Sequence, residues 1–157
     1  VMGSAAQQGR TGALDDAAAN DGFNLVTQQT AEWNAEKAQQ IVQSVIDAGT
    51  PFNVIYAEND DMAKGAVAAL DKANISHGVG KDVIVMGFDC NKWALEELKA
   101  GNWNYDGQCN PFQASYIDDI IKKLENGETI SEKTIIMDEK GFDATTITQE
   151  DVDNYGI

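Results

Sequence analysis

Short apolar runs alternate along this chain with segments whose apolar residues recur every three or four positions. The periodic segments 35–49, 60–74, 92–101 and 111–127 predict helices. The apolar runs predict strands at FNLVTQ (23–28), FNVIYA (52–57), DVIVMGF (82–88) and KTIIMD (133–138), and the more polar WNYDGQC (103–109) could be a further strand between two helices. This alternation predicts an α/β fold with a doubly wound parallel sheet and helices on both faces.

Polar side chains gather after the carboxyl ends of the predicted strands. They are Asn59-Asp60 after strand 52–57, Asp89 after strand 82–88, and Gln108-Cys109-Asn110 at the end of strand 103–109, with Glu32-Trp33 soon after strand 23–28. Doubly wound sheets bind ligands outside these strand ends, so the chain predicts a ligand site there. A carboxylate at Asp89 can accept two hydroxyl hydrogen bonds, and the amide of Asn59 can both donate and accept. The pattern is suited to a neutral polyol.

Each of these residues also has a structural interpretation. Asp89 can cap the helix that starts near residue 92, and Asp60 can cap helix 61–73. Arg10 is the only arginine, and its planar fork suits two vicinal oxygens, although a solvated loop arginine is the alternative. Trp33 can stack on a sugar ring or pack under the following helix.

Composition excludes several function classes. The net charge of −15 argues against nucleic acid as a partner, because phosphate binding needs a basic surface. One histidine and two cysteines without a CxxC motif do not make a zinc site. There is neither a phosphate-binding glycine loop nor a GxSxG elbow, and no nucleophile with its base can be assembled. We therefore expect a protein that is not an enzyme and that needs neither a metal nor a cofactor.

Three blocks carry a family resemblance: YAENDDMAKGAVAALDKAN, GKDVIVMGFD and CNPFQAS. They resemble the sugar-binding proteins of bacterial ABC importers, in the ribose/galactofuranose-type branch with the type I periplasmic-binding fold. GSAAQQGRTGALDDA and NLVTQQTAEWNAEKAQQIV fit the same family, so the resemblance covers essentially all 157 residues. It implies capture of a monosaccharide between two lobes and delivery to a membrane permease. The implied location is periplasmic or extracellular, with an N-terminal lipid outside this sequence as a compatible anchor.

The resemblance also implies a domain organisation. Residues 1–109 correspond to the C-terminal sugar-binding lobe, incomplete at its start, where Val1 and Met2 look like the tail of a strand. Residues 110–140 correspond to a hinge-crossing helix and strand that normally pack in the N-terminal lobe. Residues 141–157 form a tail that returns to the C-terminal lobe.

Residue by residue, Arg10, Trp33, Asn59 and Asp89 match the family's ligand-binding positions. The position two before Pro111 is usually glutamine in ribose-type members but is Cys109 here, with Gln108 as a substitute contact if the strand shifts. A disulfide between Cys90 and Cys109 is also expected, because both follow strands that should be neighbours and an exported protein permits oxidation.

Two further expectations remain open at this point. The effector domain of a lactose-repressor-type regulator shares this fold and is the alternative function. Without an N-terminal lobe, helix 111–127 would expose an apolar stripe of Phe112, Tyr116, Ile117, Ile120, Ile121 and Leu124. Either that lobe covers the stripe or two copies pair through it, and we favour pairing or swapping between copies of the isolated chain.

Overall fold

The computed structural model describes residues 2–157, and within them the chain forms six helices and one sheet of four strands. The elements are α1 (Ala5–Asp21), α2 (Ala35–Asp47), β1 (Val54–Tyr56), α3 (Asp60–Lys72), β2 (Ile84–Asp89), α4 (Lys92–Lys99), β3 (Tyr105–Gln108), α5 (Ala114–Glu125), β4 (Gly141–Asp143) and α6 (Gln149–Tyr155). The predicted strand tail at Val1 lies outside the described residues, and Met2 lies in a turn.

The strands lie in the order β1–β2–β3–β4. β2 pairs in parallel with β1 on one side and with β3 on the other, which confirms the predicted parallel arrangement for the central strands. β4 pairs antiparallel with β3, so the sheet is mixed and the prediction of a purely parallel sheet needs that correction. The antiparallel strand belongs to the segment 141–157, which was predicted only as a polar tail.

One face of the sheet carries the hydrophobic core. Alternate residues of β2 point to this face, and α3, α4 and α6 cover it. The buried core residues include Ala63, Leu70, Val83, Val85, Ala94, Leu95, Leu98, Trp103, Phe142 and Val152. The helical members recur at intervals of three or four, which is why the sequence periodicity located α3 and α4.

Tyr56 and Phe88 lie on the opposite face, and α1 lies against it. The hydroxyl of Tyr56 donates to the carbonyl oxygen of Arg10 in α1 at 3.0 Å. Helices therefore lie on both faces of the sheet, as predicted.

Two predicted strands do not form. Residues 23–28 have no ladder partner within residues 2–157, and Phe23, Leu25 and Val26 are exposed. Residues 133–138 are likewise unpaired, and the side chain of Ile136 is 87% exposed. Both segments have strand-like composition, but a strand exists only where a neighbour supplies its backbone hydrogen bonds.

Helices α1 and α6 were not predicted, because their sequences lack a continuous apolar stripe. α1 has no buried residue and begins at Ser4, whose hydroxyl accepts the Gln7 amide. α6 is nucleated by a capping box between Thr148 and Asp151, and it buries Val152.

Helix α5 begins at Ala114, three residues later than predicted, and none of its residues is buried. The exposed apolar side chains on and before it are Phe112, Ile117, Ile121 and Leu124. Four of the six residues of the apolar stripe expected from the sequence therefore face outward, whereas Tyr116 and Ile120 are partly buried.

Candidate functional site

A partly buried ion pair lies at the carboxyl ends of β1 and β2. Nη2 of Arg10 donates to Oδ1 of Asp89 at 3.0 Å, and the two side chains are only 10% and 21% exposed. Nη1 of the same arginine donates to the carbonyl oxygen of Glu58. The guanidinium group thus bridges the ends of two neighbouring strands and is directed by both.

Two aromatic rings flank this guanidinium group. Its central carbon lies 5.5 Å from the Trp33 ring centroid and 4.8 Å from the Phe88 centroid. Phe88 in turn contacts Tyr56 edge to face at 5.4 Å. Cation–π attraction and the ion pair with Asp89 together fix the flat guanidinium group of Arg10 between the two aromatic rings.

Helix α1 is anchored where it presents Arg10. Besides the bond from Tyr56, the hydroxyl of Thr11 donates to the Glu58 carboxylate. Burial, together with the nearby Glu58 charge and against the opposing charge of Arg10, raises the pKa of Tyr56 to about 12. The phenol therefore stays protonated and remains a donor to the helix backbone.

The backbone is unusual at two turns of this site. Glu32 and Trp33 have φ of 53° and 62°, while Asp89 and Cys90 have φ of 116° and 61°. Side chains other than glycine rarely adopt these values, and residues that do so concentrate at functional sites. The backbone at the end of β2 therefore holds Asp89 in an unfavourable conformation, and contacts of the surrounding residues must offset this conformational cost.

The structure decides between the two interpretations of Asp89. The N-cap of α4 is Asn91, and Asp89 binds Arg10 instead, so Asp89 does not cap the helix. Burial raises the pKa of Asp89, while the charge of Arg10 and its hydrogen bond lower it. Asp89 is therefore a candidate ligand-binding carboxylate whose observed partner is Arg10.

Asn59 rather than Asp60 caps α3. Oδ1 of Asn59 accepts a hydrogen bond from the Met62 backbone amide at 2.9 Å, and only 5% of the residue is exposed. Asp60 is fully buried, and its Oδ2 accepts the backbone and side-chain N–H groups of Asn91 at 2.8 and 3.1 Å. The cap interpretation of Asp60 is therefore wrong.

The remaining site candidates lie at the end of β3. Gln108 is opposite Asp89 in the ladder, but its side-chain oxygen accepts the Lys140 backbone amide at 3.2 Å. Cys109 is exposed; burial raises the pKa of its thiol, and the neighbouring Arg10 opposes that shift. Arg10 therefore lies close to Cys109, whereas the Gln108 side chain is engaged with the chain leading to β4.

The expected disulfide is not formed. Cys90 and Cys109 are both free thiols; Cys90 is buried and Cys109 is exposed. The positive φ of Cys90 turns its side chain under the sheet end, where Sγ lies 3.9 Å from Oδ1 of Asp106. Adjacent strand ends therefore do not bring these two side chains together.

Sequence reasoning missed Tyr56, Glu58 and Phe88. All three lie within the same strand-end blocks as Asn59 and Asp89, but they read as strand or linker residues there. Their contribution comes from long-range contacts with α1, which was not predicted as a helix.

A cavity of about 720 Å³ lies next to this site, between α1, residues 23–33, α2 and β1. Trp33 borders both this cavity and the ion-pair site. Its walls are mainly apolar, with Leu14, Ile41, Val45 and Met86 among them. Polar side chains also line it, and Thr11, Tyr56 and Glu58 are common to this cavity and the ion-pair site. The ion-pair site adds the charged groups of Arg10 and Asp89, so it is the better candidate.

No group of histidine, cysteine and acidic side chains suited to a metal ion occurs within residues 2–157. No helix in that range is long and apolar enough to span a membrane.

The family model described as "Periplasmic binding protein domain" matches residues 1–128. The chain belongs to this family. A curated relative, the fructose import binding protein FruE of Bifidobacterium longum, is 31% identical over 132 residues, which are 83% of this chain and 38% of FruE. The ribose import binding protein RbsB of Escherichia coli is 33% identical over 89 residues, covering 57% of this chain and 28% of RbsB.

Solved structures show the same fold. An ABC transporter periplasmic solute binding protein from Actinobacillus succinogenes with bound D-allose superimposes with a TM-score of 0.75 at 29% identity, over 95% of this chain and 50% of that one. An arabinose transporter component from Shewanella reaches a TM-score of 0.83 at 24% identity, over 93% and 49%. The chain thus spans half or less of the length of these relatives.

Proposed function

We propose that this chain is the sugar-binding lobe of a solute-binding protein that captures a monosaccharide and delivers it to an ABC importer. The observation that carries the proposal is the Arg10–Asp89 pair between Trp33 and Phe88 at the carboxyl ends of parallel strands. The named relatives are import binding proteins, which favours this function over the effector domain of a transcription regulator.

The chemistry of the site suits a sugar. Arg10 uses one oxygen of Asp89, which leaves Oδ2 to accept a hydroxyl hydrogen bond. The guanidinium group can donate to vicinal oxygens, and Trp33 offers an aromatic face to the C–H side of a sugar ring. Asn59 has its oxygen committed to the helix cap, so its NH₂ group is the part available as a donor.

Replacement of Asp89 tests the proposal in the full-length protein. Charge-assisted hydrogen bonds contribute ~1.5–3 kcal/mol each, and water replaces part of that in the variant. We expect Asp89→Ala to weaken monosaccharide binding by roughly 2–4 kcal/mol, which is about 30-fold to several hundred-fold in Kd. Titration calorimetry with a panel of pentoses and hexoses measures it.

Asp47→Ala is the matched control, because Asp47 is an exposed carboxylate at the far end of α2. It should leave sugar affinity unchanged. Thermal melting of both variants shows whether Asp89→Ala is still folded. A folded Asp89→Ala protein with wild-type affinity contradicts the site assignment.

We further propose that the outward apolar stripe of α5 is covered by a second lobe of the full protein, and that isolated copies of this chain pair through it. The exposed side chains Ile117, Ile121 and Leu124 support a covered face, since burying each stabilises by ~1.5–3 kcal/mol. Such a protein works outside the cytoplasmic membrane and contacts the importer's permease. Light scattering on residues 1–157 should show a dimer, and a stable monomer would contradict pairing.

A further inference from the structure

We propose that Asp60 and Asp106 form a buried carboxyl pair that shares one proton, and that this pair positions the Asp89–Asn91 turn. The two residues are therefore positioning residues for the sugar site, and this role rests on the function proposed above. Neither Asp60 nor Asp106 contacts the Arg10–Asp89 pair directly. Their effect passes through the turn that carries Asp89.

Both carboxyl groups are fully buried, with no exposed surface. Both adjoin the position of Gly87, and each affects the pKa of the other. Gly87 is opposite Asp106 in the β2–β3 ladder, and a Cβ added there would lie 2.7 Å from Oδ1 of Asp60. The missing side chain at Gly87 thus provides the space in which the two carboxyl groups meet.

Each carboxyl group has one occupied oxygen and one without a partner. Oδ2 of Asp60 accepts both N–H groups of Asn91, and Oδ1 of Asp106 lies beside the Cys90 thiol. Oδ1 of Asp60 and Oδ2 of Asp106 are buried without any hydrogen-bond partner among the described residues. Two carboxylates cannot satisfy each other, because both only accept; one proton between them satisfies both oxygens.

The surrounding charges favour retention of that proton. Burial raises the pKa of Asp106, and the neighbouring Asp60 carboxylate raises it further. Burial also raises the pKa of Asp60, although the Asn91 bonds oppose this. The other titratable groups that act on the pair are Asp89 and Cys90, and both become negative on ionisation.

The uncharged neighbours complete the enclosure. Trp103 packs against Gly87, and Phe142 of β4 is opposite Asp106 in the antiparallel ladder. Arg10 is engaged with Asp89 and the Glu58 carbonyl oxygen. The proton, rather than a cation, is therefore what neutralises the pair.

The link to the sugar site is the bond from the Asn91 backbone to Asp60. Asp89 and Cys90 hold positive φ values, so the turn needs a fixed anchor on its far side. Asp60, kept in place by the proton shared with Asp106, supplies that anchor through two hydrogen bonds. Loss of the proton would place two like charges in contact beneath the turn.

The first test compares the pH dependence of unfolding in the full-length wild type and the Asp106→Asn variant. The asparagine amide donates to Asp60 where the shared proton lies, but it does not titrate. The folded wild type keeps a proton that the unfolded chain releases near pH 4, so its extra stability is present at acid pH and is lost as pH rises. We expect the wild-type folding constant, relative to the variant, to fall by up to about tenfold per pH unit above that range.

The second test separates positioning from simple burial. Asp106→Ala removes the donor and leaves Asp60 without a partner on one oxygen, whereas Asp106→Asn replaces the donor. At neutral pH we expect faster hydrogen exchange at the Asn91 backbone amide and at least tenfold weaker sugar binding in Asp106→Ala, with both properties retained in Asp106→Asn. Asp47→Asn, an exposed carboxylate on α2, is the control and should match the wild type throughout.

Each outcome decides the inference. Identical pH dependence in the wild type and Asp106→Asn overturns the shared proton. Equal Asn91 exchange in Asp106→Asn and Asp106→Ala overturns the positioning role. If no variant, including the wild type, binds a monosaccharide, the proposed function fails, while the stability and exchange measurements still decide the carboxyl pair.

Discussion

Gly65 of α3 lies directly against the backbone of Ala35, the first residue of α2. A Cβ added at Gly65 would lie 1.9 Å from the Ala35 carbonyl oxygen and 2.7 Å from its carbonyl carbon. Ordinary van der Waals contact begins at 3.4 Å, so Gly65→Ala would force α2 away by about 1.5 Å. Because the obstacle is backbone, no side-chain rotation can relieve it.

Two effects of opposite sign determine the size of the change. Alanine is favoured over glycine in a helix interior by ~1 kcal/mol. Overpacking costs ~1–3 kcal/mol, and a clash with backbone belongs at the upper end of that range. We therefore expect Gly65→Ala to lower the free energy of unfolding by about 2 kcal/mol.

Urea unfolding of the full-length protein measures this change, with Gly12→Ala as the control. Gly12 is also helical, but nothing lies within 4 Å of its added Cβ, so that variant should gain stability by up to ~1 kcal/mol. Trp33 lies two residues before Ala35, so the displaced α2 should also weaken sugar binding. If Gly65→Ala is as stable as Gly12→Ala, the close helix contact does not exist in solution.

Three more changes test other parts of the structure. Asn59→Ala removes the α3 cap and should lower stability by ~1 kcal/mol, whereas Asn59→Asp keeps an accepting oxygen and should lose less. Trp103→Ala removes a ring that is 98% buried and packed edge to face on Trp93, with the ring centroids 5.9 Å apart. We expect urea unfolding to show a decrease of ~3–5 kcal/mol in the free energy of unfolding, and a decrease under ~1 kcal/mol would argue against this core. Hydrogen bonds from Thr148 lower the pKa of Asp151, so the Asp151 carboxylate stabilises the fold above the ordinary carboxyl pKa and this contribution is lost as pH falls. Asp151→Asn should therefore reduce the acid dependence of the thermal melting temperature. An unchanged dependence would contradict the capping box.

The sequence predicted the elements whose local pattern agrees with their surroundings. β1 and β2 are apolar runs with neighbours on the sheet, and α2, α3 and α4 have apolar stripes that face a core. β3 is more polar, and its place between two predicted helices indicated it. Predicted and observed bounds differ by a few residues, because helix ends depend on caps such as Asn59. The ends of the parallel strands also follow from the pattern, and this is why Asp89 could be proposed as a site residue from the sequence.

Pairing was beyond the reach of the local pattern. Residues 23–28 and 133–138 have strand composition, yet they form no ladder with any described part of the chain. The hydrogen bonds of a strand depend on two segments at once. β4 shows the reverse case. Gly141–Asp143 is too short and polar to be recognised, but β3 offers it an open edge.

The amino-acid sequence by itself determined where chain direction changes, which segments can be helical, and that a carboxylate ends a buried strand. Only the tertiary structure decided that Arg10 meets Asp89, that Cys90 turns away from Cys109, and that Asp60 meets Asp106. These contacts join residues far apart in the chain, and their geometry depends on how helices cross the sheet. The local periodicity of the sequence does not show which distant residues come into contact. The chemistry of the site therefore depends on how the strands lie side by side.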